Sequence, residues 1–175
     1  MKEKLFKRAS LISLVVIVLS LAALFIPQSF INFQSNAERS YSGLEVFFHF
    51  NWAIGNNTSG YLANNLGGRV SAAGIVFLSL SVLAAVCFVF AKKTTALKLF
   101  GGILEVLASI VMLSMELWML IIYPNKNPVV LWVAYVFGGL LLLAGALAIW
   151  ASVVDLKQEK QQAFTKKGYS YLKNK

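Results

Sequence analysis

Apolar residues gather into four long runs along this chain, Ala9–Ile26, Val70–Ala91, Leu97–Tyr123 and Val129–Val154. Each reaches the roughly 18–20 residues that a helix needs to cross a hydrocarbon core about 30 Å thick. The pattern predicts four membrane-spanning helices. The breaks at Lys92–Ala96 and Pro124–Pro128 are very short, and the second carries two prolines that stop its flanking helices. Short turns force antiparallel neighbours. The predicted fold class is therefore an all-α membrane protein, a four-transmembrane-helix antiparallel bundle spanning residues 1–154. A polar tail, Asp155–Lys175, follows.

One connection breaks the economy of the others. Residues 27–69 form a long loop between the first two spans, and loops of that length are usually functional or independently structured. Within it, Leu44, Val46, Phe48, Phe50, Trp52 and Ile54 alternate with Glu45, Phe47, His49, Asn51 and Ala53. Period two predicts a strand between Gly43 and Gly55. Phe30–Gln34 is the expected partner strand, and together they predict a small extracytoplasmic β/aromatic cap. Leu44, Val46, Phe48, Phe50 and Trp52, with His49 on the other face, are the expected outer-loop interaction residues.

Charge then orients the chain. The net charge is +9, but it is not spread as a nucleic-acid-binding surface would be, and no nucleic-acid partner is expected. Thirteen of the 16 lysines and arginines precede the first span, lie around the turn between the second and third, or follow the fourth. The positive-inside rule places both termini and that turn in the cytoplasm. Four crossings require the same. The expected location is the cytoplasmic or plasma membrane, multi-pass, with the basic tail attracted to anionic lipid. The first run reads as a retained signal anchor, because its apolar stretch exceeds that of a cleaved signal peptide.

Candidate chemistry is sparse. Glu105 and Glu116 lie within the third run, eleven residues apart. On one uninterrupted helix they would project from nearly the same face, with Ser109 and Met112 between them. A carboxylate at bilayer depth is a functional-site hypothesis by default. It can be a neutral acid bonded across helices, line a wet cavity, or meet a cation from another subunit. Tyr135, Ser79, Ser81, Ser13 and Ser20 are the candidate donors on neighbouring spans. Small residues, among them Gly101, Gly102, Ala134, Gly138, Gly139, Ala144, Gly145 and Ala148, predict close helix contacts, within the chain or between chains.

Catalytic, metal and cofactor sites are not expected. His49 is the only histidine and Cys87 the only cysteine. The chain has no G-x-S-x-G, H-E-x-x-H or Walker pattern. The layout resembles the claudin and peripheral-myelin type of tetraspan protein, with Ser42-Gly43-Leu44 leading into the aromatic run to Trp52 as its nearest echo. That family's paired-cysteine motif has no counterpart in residues 27–69, so the resemblance implies architecture alone.

The expected role is a non-enzymatic integral membrane accessory, scaffold or interaction subunit, self-associating or bound to a membrane protein partner. Two alternatives remain: a small proton- or cation-coupled transporter or channel-like protein using Glu105 and Glu116, and a receptor or immunity-type protein binding an extracellular peptide or lipid.

Overall fold

Helices dominate the computed structural model, which describes residues 2–27, 29–33, 39–48, 69–91, 94–122 and 128–173. In chain order the elements are α1 (Lys2–Ala23), β1 (Ile31–Phe33), β2 (Arg39–Tyr41), α2 (Gly43–Phe48), α3 (Arg69–Phe90), α4 (Thr95–Leu113), α5 (Met115–Ile122), β3 (Pro128–Val130) and α6 (Trp132–Lys173). Three stretches are long and apolar enough to cross a bilayer: Ala72–Phe90, Thr95–Leu113 and Trp132–Gln162. The apolar part of α1, Arg8–Ala23, is shorter.

The long helices bury narrow stripes and turn apolar residues outward. On α3 the buried positions are Phe77, Ser81, Ala84 and Phe88, at helical spacing. Ile75, Val82, Leu83, Val86 and Val89 of the same helix are exposed. An apolar exterior around a packed interior suits lipid as solvent. α4 packs on α3 and α6, and α1 packs on α6 and α3. The stripe that α1 contributes is Ala9, Ser13, Ile17, Ser20, Ala23 and Leu24. Two of these are serines, so α1 docks through a face more polar than its own exterior.

Glycine sets the closest approach. A Cβ on Gly102 would stand 3.0 Å from the Gly145 carbonyl oxygen, and one on Gly145 would stand 3.0 Å from that of Gly102. Gly101, Gly102, Gly138 and Gly145 are thus packed within the chain. Gly139 is the exception, with open space where its Cβ would be.

The third run is not one helix. Ser114 interrupts it between α4 and α5. Its backbone N–H still reaches the Ile110 carbonyl at 2.9 Å, while its hydroxyl donates to the Val111 carbonyl at 3.2 Å. A serine that bonds back to the preceding turn competes with the ladder and bends the axis. The fourth run also starts later than its hydropathy implies. Val129 lies in β3, and helix begins at Trp132. Helix α6 continues through the polar tail to Lys173.

The predicted strand over Leu44–Ile54 is overturned where it is described: Gly43–Phe48 is the short helix α2. The cause is a capping box. Ser42 N–H and hydroxyl both donate to Glu45 Oε2, at 2.7 and 2.9 Å, and Glu45 N–H donates to Ser42 Oγ at 3.3 Å. Reciprocal satisfaction of these end groups nucleates a helix and outweighs a period-two pattern. Phe50, Trp52 and His49 lie outside the described residues.

The expected partner strand, Phe30–Gln34, does contain β1. Its neighbours are β2 and β3, both antiparallel, with Ile31 opposite Tyr41 and Val130. This sheet ties the segment after α1 to the start of α6, and Leu131 N–H donates to the Phe30 carbonyl at 2.8 Å. Gly43 closes the corner. A Cβ there would lie 3.0 Å from Leu24 Cα, and Leu44 N–H donates to the Leu24 carbonyl at 3.0 Å. Only glycine admits so near a backbone.

Candidate functional site

Two polar contacts bracket the packed helices. At one end, Lys98 of α4 meets Asp155 of α6 at 2.7 Å, and the Thr95 hydroxyl donates to Glu159. At the sheet end, the Tyr135 hydroxyl of α6 donates to Glu116 of α5. By helical rise the two ends are about 27 Å apart along α4–α5 and about 30 Å apart along α6. That matches a hydrocarbon core about 30 Å thick. Glu116 therefore stands at the sheet end of the apolar stretch between these contacts, and its partner Tyr135 is about one turn along α6 from the exposed Trp132. Glu105 stands inside that stretch, about 10 Å from the level of Lys98.

This separates the two carboxyls that sequence spacing places on one face. Glu105 is fully buried at 0% exposure, together with Ser109 and Met112. Glu116 is exposed, on a different helix, beyond the interruption at Ser114. Tyr135, one of the five candidate donors, does reach Glu116. Ser79 faces outward. Ser13 lies beside Glu105.

Glu105 is buried at the centre of the seam. Its helical neighbours Gly102 and Val106 touch Gly145 of α6. Ser13 of α1 donates to the carbonyl of Ala144, the next residue along α6, at 3.3 Å. Ser13 and Glu105 thus share one level, where α1, α4 and α6 converge. The Ser13 proton is directed at that carbonyl. Both Glu105 carboxyl oxygens are left without a hydrogen-bond partner among the described residues, as are the buried Ser20 and Ser81 hydroxyls. A turn further along α4, Ser109 donates to the Gly138 carbonyl at 2.8 Å and is fully satisfied.

Of the outer-loop residues, Val46 is buried and Leu44 half-buried at the α2 position, where α2 packs on α3. Among the described residues no group of three or more His, Cys, Asp or Glu side chains is placed to hold a metal ion. The chain matches no protein-family model and no curated protein.

The capping box was available in the sequence as Ser42-x-x-Glu45, a pattern with a stated mechanism. The pairing of Lys98 with Asp155 had no comparable local signal, since it depends on the register of α4 against α6.

Proposed function

We propose that this chain is a four-crossing integral membrane protein with both termini cytoplasmic. It acts as a non-enzymatic accessory or interaction subunit that binds a partner helix within the bilayer. Under this reading α1 is the fourth crossing, the four long helices form an antiparallel bundle, and the small sheet with α2 caps its extracytoplasmic end. The lysine-rich continuation of α6 lies on the cytoplasmic side, beside anionic lipid.

One observation carries the reading. The outward face of α6 combines a polar handle with a notch. Tyr135, bonded to Glu116, stands one turn from Gly139, whose Cβ position is empty. Leu143 continues the same face and is exposed. Small residues that open a groove, with a hydrogen-bonding group beside it, are how helices associate where the hydrophobic effect is absent. The other glycines of the seam are closed by neighbours in the same chain; Gly139 is left for another one.

The transporter reading draws less support, since Glu105 and Glu116 face different surroundings and do not form one path. The receptor reading keeps Leu44, Phe48, His49, Phe50 and Trp52, while Val46 is committed to packing.

The test is copurification and crosslinking in mild detergent. Leu143→Cys in a Cys87→Ser background crosslinks to a second membrane chain, whether another copy or a different protein. Gly139→Leu removes the crosslink while the melting temperature of the purified chain is retained. A wild type that runs as a monomer with no crosslinked neighbour overturns the proposal. Reporter fusions at residues 1 and 175 that report opposite sides overturn the topology.

A further inference from the structure

Glu105 is the one carboxyl described within the apolar band, and nothing in the accessory role accounts for it. Burying an ionised carboxylate without a donor or counter-ion is far costlier than burying a neutral polar group. No counter-ion faces it. α1 presents Ser13 at this level and no titratable group between Ala9 and Ala23. α6 presents none between Tyr135 and Asp155. α3 presents only Cys87, whose Cβ lies against Gly101, one turn from Glu105 on α4. On α4 itself Lys98 is engaged with Asp155. The closely packed seam therefore fits the neutral acid and not the anion.

We propose that Glu105 is a mid-membrane proton-binding site whose occupancy is coupled to the docking of α1. With the proton bound, α1 closes over the carboxyl through Ser13. When the O–H bond breaks, the proton passes to water entering the seam, and the carboxylate stays there hydrated. Because Ser13, Ser20 and Glu105 lie on or against the docked stripe of α1, that water enters between α1 and the α4–α6 pair. The unpartnered Ser20 hydroxyl gives it a further contact. The inference needs only that α4 crosses the bilayer, so it stands or falls independently of the partner helix proposed for Gly139.

Cys87 is a native reporter for this event. It is half-buried, in no disulfide, and its Cβ packs against Gly101, one turn of α4 from Glu105. The experiment follows alkylation of Cys87 by a membrane-permeant maleimide in liposome-reconstituted full chain, from mildly acidic to mildly alkaline pH. Glu105→Gln serves as the control: it keeps the thiol's own pH dependence and cannot ionise at residue 105. The ratio of wild-type to Glu105→Gln rates is expected to rise with pH, by up to about tenfold per pH unit for one linked proton. A ratio constant across the range overturns the proposal. Should Glu105→Gln fail to fold, infrared difference spectra of the wild type decide instead. A protonated-carboxyl carbonyl band that disappears reversibly on raising pH supports the site, and one that persists unchanged reduces Glu105 to a fixed packing group.

Discussion

Gly102 and Gly145 face each other so closely that a methyl group on either would stand 3.0 Å from the other's carbonyl oxygen. The contact is backbone against backbone, so no side chain can swing away to make room. Gly102→Ala and Gly145→Ala should each force α4 and α6 apart and cost about 1–3 kcal/mol. Gly139→Ala meets nothing and should be neutral, or stabilising by up to about 1 kcal/mol through helix propensity. Thermal unfolding of the three variants in one detergent checks the ordering. Equal melting temperatures for all three would mean that the seam is looser than its geometry.

The start of α2 depends on two side chains. Ser42→Ala removes an acceptor for Glu45 N–H, and Glu45→Ala removes the acceptor for Ser42 N–H. Loss of such a cap costs about 0.5–2 kcal/mol. Because α2 is so short, the effect should stay local. Amide hydrogen exchange at Leu44–Val46 should accelerate severalfold, while exchange in α4 and α6 is unchanged.

That pair also marks where sequence reasoning was sufficient and where it was not. Hydropathy is a sum over many residues, so the apolar runs at Val70–Ala91, Leu97–Tyr123 and Val129–Val154 located three long helices, although α4 stops at Leu113 and α6 runs on to Lys173. Alternation between Leu44 and Ile54 is a weaker signal, because eight aromatic and aliphatic residues in eleven can satisfy either period once a cap intervenes. The interruption at Ser114 was invisible, since a single serine in an apolar run is usually tolerated. With it went the expectation that Glu105 and Glu116 share a face. The surroundings of Glu105 and the partner of Lys98 depended on helix register, which no local pattern encodes.

Lys98 and Asp155 form a partly sheltered ion pair, 12% and 38% exposed. Neutralising either partner by Lys98→Met or Asp155→Asn should lower stability by about 1 kcal/mol or less, as surface-level pairs do. A double-mutant cycle isolates the pair. The coupling should weaken at high salt, because screening acts on charges that water can reach. A coupling insensitive to salt would place the pair deeper than the band's edge.

Depth also distinguishes the two carboxyls. A lysine at the centre of a membrane helix costs about 2.5–3.5 kcal/mol on insertion, and near the boundary its long stem lets the ammonium reach the headgroups. Glu105→Lys should therefore abolish correct assembly, because its surroundings are fully buried and hold no acceptor for an ammonium beyond Ser13 and backbone carbonyls. Glu116→Lys should insert and fold, losing only the Tyr135 contact. Protease protection of membrane-inserted full chain, followed by size-exclusion profiles in detergent, separates the outcomes. Tolerance of lysine at residue 105 together with failure at residue 116 would reverse the depths assigned here. The Lys98–Asp155 and Glu116–Tyr135 contacts would then not mark the two edges of the apolar band.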